Sequence, residues 1–273
     1  MKTLLITGAT DGIGRATALR LAQKGHRVVV HGRNPTKVQQ VRDAIAPLHA
    51  DADGGGHVAD LAVWSDVERI ADEVRAQHTR LDVVIHNAGV YNAPSPAAAK
   101  TESGWDLRFA VNTIAPYWLT LRWRSLLPND GRVVALSSAA QAPVDIDALR
   151  GQRALGDHAA YAQSKLALTA WAHHLGRTWG ADAPVVVAVN PGSMLGTKMV
   201  QRAFGVAGGD VGIGAGVLVD AALSERFADA TGRYYDNDNG RFAPPHPDAN
   251  DPVKCAALVA LLDDELHKKG GAC

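Results

Sequence analysis

Tyr161 and Lys165 stand four residues apart in the run Tyr161-Ala162-Gln163-Ser164-Lys165. On a helix that spacing places both side chains on one face. A phenol titrates near pH 10. An ammonium group beside it favours the phenolate and lowers that value. Such a pair can give or take a proton near neutrality. The spacing alone occurs by chance in many helices. It gains weight from Ser138, which closes an apolar strand-like run upstream of it.

A second chemistry is written near the start, in Leu4-Leu5-Ile6-Thr7-Gly8-Ala9-Thr10-Asp11-Gly12-Ile13-Gly14-Arg15. A buried strand turns on Gly8, Gly12 and Gly14 and enters an amphipathic run. The turn residues Thr10, Asp11 and Ile13 complete a cradle. Free N–H groups and the helix dipole there suit the pyrophosphate of a dinucleotide. The spacing G-x-x-x-G-x-G is not the commoner G-x-G-x-x-G, and no Lys-Ser/Thr pair makes it a Walker A loop. The plainer reading is an ordinary glycine-rich turn, and the rest of the chain tells against it.

Gly32-Arg33-Asn34 follows the second strand, where NAD binders usually place an acidic residue for the ribose 2′-OH. Gly32 has no side chain, and Arg33 can pair with a 2′-phosphate, which points to NADP(H). Otherwise Arg33 is a solvated loop cation. Asp60-Leu61 follows the third strand. Asp60 can accept from an adenine amino group or cap the following turn, with little to choose between them. Asn87-Ala88-Gly89 follows the fourth strand. There Asn87 can tie neighbouring strands and Gly89 leaves room for a ribose, unless the three form a plain turn.

These residues need a frame, and strands and helices alternate along the chain to supply one. Strands are expected at Met1–Thr7, Arg27–His31, His57–Ala59, Leu81–His86, Gly131–Ser137, Pro184–Asn190 and Gly232–Tyr235. Helices are expected at Gly12–Lys24 with Gly25 at its C′ position, and from Asn34-Pro35 to before Pro47. A third is capped by Ser65 or Asp66, and a long stretch runs from Thr101 to about Leu127. Further helices cover Ala159–Trp179, Val217–Ser224 and Asp251–His267. Asp51–Gly56 reads as a turn and Ala139–Asp157 as a loop. The alternation implies α/β architecture, a doubly wound parallel sheet of about seven strands with helices on both faces. One Rossmann-type domain over 1–273 is expected, with ligand beyond the strand C-terminal ends.

Composition narrows the function. The 273 residues are 47% hydrophobic and 21% charged, enough for a sizeable core. Lys+Arg and Asp+Glu balance at 28 each, so neither a nucleic-acid nor a membrane-surface partner is expected. Two cysteines, Cys255 and Cys273, exclude a disulfide framework and suit a reducing, cytoplasmic setting. The N-terminal apolar run is too short for a signal peptide, and no run of about 18 apolar residues exists.

Taken in order, T-G-x-x-x-G-x-G, N-A-G, Asn112, Ser138, Y-x-x-x-K and Pro191-Gly192 resemble a short-chain dehydrogenase/reductase over essentially the whole chain. The resemblance implies a catalytic tyrosine at Tyr161 and a lysine at Lys165 that binds the nicotinamide ribose and lowers the tyrosine's pKa. It implies a serine at Ser138 that holds the substrate oxygen, and Asn112 as fourth member. Pro191-Gly192-Ser193-Met194-Leu195-Gly196-Thr197 is similar to the family's P-G-x-x-x-T, which holds the nicotinamide amide through backbone and threonine. Here one extra residue separates Gly192 from Thr197. Tyr-x-Gln-Ser-Lys-Leu-Ala, Gly32-Arg33-Asn34 and the terminal Asp251-Pro252 look like the retinol dehydrogenase and WW-domain oxidoreductase branch, without a membrane-anchoring segment.

Pro116 lies four residues after Asn112 and lacks an N–H, so the Asn112 carbonyl loses its helical partner. That carbonyl can hold a water behind Lys165, or the proline merely kinks the helix. His173-His174 point roughly 100° apart on a helix and cannot chelate together. Asp236-Asn237-Asp238-Asn239-Gly240 has Gly240 one place early for a calcium loop and reads as a turn. No metal site is expected. Trp118, Trp123, Trp171 and Trp179 read as core or subunit contact.

The expected function is hydride transfer between NADP(H) and an apolar carbonyl or secondary alcohol, under a substrate lid at about 193–216, in a homodimer or homotetramer. The rivals are a catalytically idle NADP(H)-binding regulator on the same fold, and a non-redox epimerase or dehydratase. The intact Asn112, Ser138, Tyr161 and Lys165 set disfavours the first. The lack of an extended substrate domain disfavours the second.

Overall fold

Apolar runs such as Leu4-Leu5-Ile6 and Val28-Val29-Val30 are fully buried, as strands covered on both faces must be. In the computed structural model, which describes residues 1–180 and 182–270, they lie at the centre of one sheet. Cys273 lies outside the described residues. The strands are β1 (Thr3–Thr7), β2 (Arg27–Gly32), β3 (Asp53–Val58), β4 (Val83–His86), β5 (Arg132–Leu136), β6 (Val185–Asn190), β7 (Arg233–Asp236) and β8 (Arg241–Ala243). Their order is β3-β2-β1-β4-β5-β6-β7-β8. All neighbours pair in parallel except β7 and β8. The order reverses between β1 and β4, so the ligand crevice of such a sheet opens there.

Helices α1 (Gly12–Gln23), α2 (Pro35–Ile45) and α9 (Val211–Leu223) pack on one face, through Ala18, Val38 and Leu218. The other face carries α3 (Trp64–Gln77), α4 (Leu107–Phe109), α5 (Ala115–Arg122), α7 (Asp157–Thr178) and α11 (Pro252–His267). Short helices α6 (Ile146–Leu149), α8 (Lys198–Phe204) and α10 (Pro247–Asn250) sit in connections.

Local signals explain several boundaries. Gly25 at φ 82° ends α1, with the His26 N–H on the Leu21 carbonyl and the Gly25 N–H on that of Ala22. Asn34 caps α2 by accepting from the Lys37 N–H at 3.0 Å, ahead of Pro35.

Elsewhere the structure departs from expectation. Eight strands occur among the described residues, because the turn at 237–240 closes a hairpin onto the three-residue β8. Asp53–Gly56, expected as turn, forms most of β3. Helix α3 starts at Trp64, and Asp66 accepts from the Asp60 N–H instead of capping it. The expected helix from Thr101 begins only at Leu107, capped by Asp106, and Ala110–Ile114 winds as a π turn. There the Ala115 N–H bonds the Ala110 carbonyl, five residues back. Pro116 cannot make the ordinary bond to Asn112, and the wider turn accommodates that gap. Helix α9 begins at Val211, inside the expected lid. Trp118, Trp123 and Trp171 are fully buried in the chain's own core, so they give no reason for a subunit contact.

Candidate active site

The turn after β1 is packed so closely that side chains have no room. A Cβ on Gly8 would lie 2.8 Å from the Ala88 Cα, and one on Gly14 would lie 2.3 Å from Asn87 Nδ2. Gly8 and Gly12 adopt φ 65° and 51°. Asp11 caps α1 by accepting from the Gly12 N–H at 2.9 Å. The next first-turn N–H groups, of Ile13 and Gly14, have no acceptor within a helix. That donor set fits a pyrophosphate. Asn87 donates to the Thr7 and Gly8 carbonyls at 2.9 and 3.0 Å, tying β4 to β1 as expected.

His31 was not legible as part of this site. Its Nδ1 accepts from the Gly8 N–H at 3.2 Å, and its Nε2 lies 3.2 Å from the Ala59 carbonyl. That network assigns the proton to Nε2. Burial pushes its pKa down to about 4, so the ring is neutral and can serve as both acceptor and donor. It joins the glycine turn to the loop after β3. The only sequence signal is a histidine inside an otherwise apolar strand.

At the rim, Arg33 is 67% exposed and its Nη1 lies 3.8 Å from Asp60 Oδ2. Asp60 Oδ1 accepts from the Ala62 N–H at 3.0 Å, so it caps the turn and still faces Arg33. A Cβ on Gly32 would meet Thr10 Cγ2 at 2.5 Å. Leu61 was expected among the cofactor contacts, but its side chain is buried in the core.

The proton-transfer candidates gather at the C-terminal ends of β4 and β5. Ser137 is buried, its hydroxyl 2.6 Å from that of Thr169, which leaves Ser138 as the serine on the open side. Tyr161 and Lys165 share one face of α7, with Lys165 Nζ 5.7 Å from the phenol ring centroid. Lys165 donates to the Leu136 carbonyl at 2.6 Å. A Cβ on Gly89 would lie 3.5 Å from Lys165 Nζ and 3.4 Å from Asn112 Oδ1, so the glycine keeps this space open. Burial pushes Lys165 down to about 7. Burial also raises the Tyr161 phenol, against the lowering expected from Lys165; a hydrogen bond with Ser138 pulls it back in part. Without other charges, desolvation outweighs the ammonium.

The fold and this arrangement agree with a sequence family. The short chain dehydrogenase model matches residues 2–205. The chain belongs to the short-chain dehydrogenase family. It is 28% identical over 280 residues to human retinol dehydrogenase 13, covering 95% of this chain and 82% of that protein. It is 33% identical over 213 residues to human polyprenol dehydrogenase, covering 74% of this chain and 63% of that protein's length. The crystal structure of the landomycin C-6 ketoreductase LanV with bound NADP and rabelomycin matches with a TM-score of 0.66 and 30% identity. That match covers 86% of this chain and 94% of LanV. The retinol dehydrogenase-like branch read from the sequence is among these relatives.

In this member of the short-chain dehydrogenase family, Asn112 is fully buried and its side chain is fully engaged. It accepts from the Val90 N–H at 2.8 Å and donates to the Val90 carbonyl and the Ser164 hydroxyl, both at 2.9 Å. It therefore pins the loop after β4 to the π turn. Thr197, expected to hold an amide, caps α8, accepting from the Val200 N–H at 3.3 Å. A Cβ on Gly12 would lie 3.3 Å from its methyl. Lys198 donates to Asp11 at 2.6 Å, which ties α8 to the glycine turn. Met194 is 44% exposed at φ 55°. Pro191 and Gly192 open the segment, Gly192 at φ 119°.

The apolar mouth was not foreseen in detail. The Tyr91 ring lies 4.8 Å from that of Tyr161 and 5.4 Å from Phe204, and its hydroxyl is 2.9 Å from His158 Nδ1. No described helix is long and apolar enough to cross a membrane, and no metal-binding cluster occurs among the described residues.

Proposed function

We propose that this chain is an NADP(H)-dependent oxidoreductase interconverting a carbonyl and a secondary alcohol on an apolar substrate. The observation that carries the reading is the convergence of Ser138, Tyr161 and Lys165 beside the glycine turn. A nicotinamide bound beside these residues would supply the hydride chemistry. Tyr161 gives its phenolic proton to the substrate oxygen in reduction and takes it back in oxidation. Ser138 hydrogen-bonds that oxygen and holds the reacting carbon in place. Lys165 would hold a ribose hydroxyl and, when charged, favours the phenolate.

Gly8, Thr10, Asp11, Gly12, Ile13 and Gly14 would hold the pyrophosphate end. Arg33, with Asn34 beside it, would take the 2′-phosphate, and Asp60 with the Leu61 backbone the adenine. Asn87, Ala88 and Gly89 would flank the ribose, and Pro191, Gly192, Met194 and Thr197 the nicotinamide. NADP in the LanV structure supports the same choice. Tyr91, Phe204 and Met194 support an apolar substrate, and residues 193–210 would act as its lid within one domain over 1–273. A cytoplasmic setting rests on the cysteine usage and a homodimer or homotetramer on the family resemblance; light scattering at micromolar concentration tests the assembly.

The test is a screen of apolar ketones and aldehydes by NADPH fluorescence. Turnover with NADPH well above that with NADH is the expected result. Tight NADPH binding with no turnover across the panel would leave an idle nucleotide-binding protein.

A further inference from the structure

Asp236-Asn237-Asp238-Asn239-Gly240, set aside in sequence as a surface turn, points its side chains inward onto the start of the lid. Asn190, the last residue of β6 and only 2% exposed, donates to Asp236 Oδ1 at 2.8 Å and to Asp238 Oδ2 at 2.9 Å. Its own oxygen accepts from the Gly192 N–H at 3.3 Å. Asp238 accepts from the Ser193 N–H at 2.8 Å and from the Ser193 hydroxyl at 2.5 Å. Asn237 donates to the Pro191 carbonyl at 3.0 Å. The turn thus holds Asn190, Pro191 and Ser193 directly, and Gly192 through the Asn190 side chain. Gly192 sits at φ 119°, a conformation that few other residues reach, so the bonds hold an unusual backbone in place.

We propose that Asp238 is a positioning residue for the nicotinamide end of the cofactor. The inference rests on the NADP(H) reading above. Asp238 touches neither cofactor nor substrate. It acts through Ser193 and Asn190, which set the path of the segment expected to meet the nicotinamide. Hydrogen bonds to a carboxylate are the stronger kind, and three of them converge on this one group. The adenosine end is built on β1, β2 and β3. From β2 to β6 the sheet spans four steps, roughly 19 Å at about 4.8 Å each. Loosening Asp238 should therefore harm one half of the cofactor and spare the other.

Two ligands separate those halves. NADPH spans both, whereas 2′,5′-ADP carries the adenosine and 2′-phosphate without the nicotinamide riboside. Dissociation constants for both are measured by calorimetry on wild type, Asp238→Ala, Asp238→Asn and Ser193→Ala. Asp238→Ala should weaken NADPH about tenfold or more and leave 2′,5′-ADP within about twofold. Asp238→Asn retains one acceptor oxygen and should recover part of the loss; it also keeps the test open if the alanine variant does not fold. Ser193→Ala should weaken NADPH in the same selective way, to a smaller degree. Loss of both ligands in parallel, or of neither, overturns the proposal while leaving the cofactor reading intact. A wild-type protein that binds neither ligand overturns the cofactor reading and the proposal with it.

Discussion

Arg33→Ala tests the NADP(H) preference most directly. The guanidinium is 67% exposed, and its only ion-pair partner among the described residues is Asp60 at 3.8 Å. Exposed pairs of this kind contribute about 0–1 kcal/mol to stability, so the variant should fold and melt close to wild type. A guanidinium–phosphate contact is charge-assisted and worth on the order of 1.5–3 kcal/mol. At about 1.4 kcal/mol per factor of ten, the NADPH dissociation constant should rise by roughly 10- to 150-fold. NADH has no 2′-phosphate and should change by less than about twofold. Separate fluorescence titrations with the two reduced cofactors read both numbers. The complementary change meets a steric limit. Gly32→Asp would put a Cβ 2.5 Å from Thr10 Cγ2 and 3.0 Å from Thr10 Oγ1. The single variant should weaken both cofactors, and Gly32→Asp with Thr10→Ser should recover NADH alone. Equal weakening of NADPH and NADH by Arg33→Ala would refute the assignment.

Other outcomes follow from the same geometry. Tyr161→Phe should keep NADPH affinity and lower turnover by about 10²–10⁴, read in steady-state assays on a substrate from the screen; near-normal turnover would sink the acid–base role. Lys165→Met should lower both rate and cofactor affinity, read by steady-state assay and NADPH titration, since one side chain would serve both. Urea unfolding should show stability falling as pH drops below about 6.5, where the unfolded chain protonates but buried His31 and His86 do not. With His31 held at about 4, that residue alone accounts for about 2–3 kcal/mol lost between pH 6.5 and 4.5, and an unchanged midpoint over that range would count against a neutral His31.

Local and short-range features were readable from residues. The glycine turn, the Asn34 cap and the Gly25 stop each depend on a few neighbours in sequence. What escaped depends on residues brought together by the sheet. His31 matters because β2 lies between β1 and β3, so one buried ring reaches both Gly8 and Ala59. The acidic stretch at 236–240 read only as a turn because nothing local shows that β7 runs beside β6. The π turn was half legible. Pro116 announced that a hydrogen bond was missing, but only tertiary packing of Asn112 against Val90 and Ser164 decides how the helix absorbs the gap. The lowered Tyr161 pKa failed for a different reason, since sequence spacing gives proximity to a cation but not the degree of burial.

That last difference bears on the direction of the reaction. Burial acts on Tyr161 and Lys165 in the same sense, against charge, raising the one and lowering the other to about 7. Moving Lys165 from 10.5 to about 7 corresponds to about 5 kcal/mol at roughly 1.4 kcal/mol per unit. At pH 7 a lysine held at about 7 is half protonated, while the phenol, raised above its ordinary value by burial, keeps its proton. In that state Tyr161 is a proton donor, which is what carbonyl reduction requires. Alcohol oxidation requires the phenolate and should rise with pH. A wild-type rate profile in which oxidation is already maximal at pH 7 would show that charge elsewhere in the loaded site outweighs the burial of this pair.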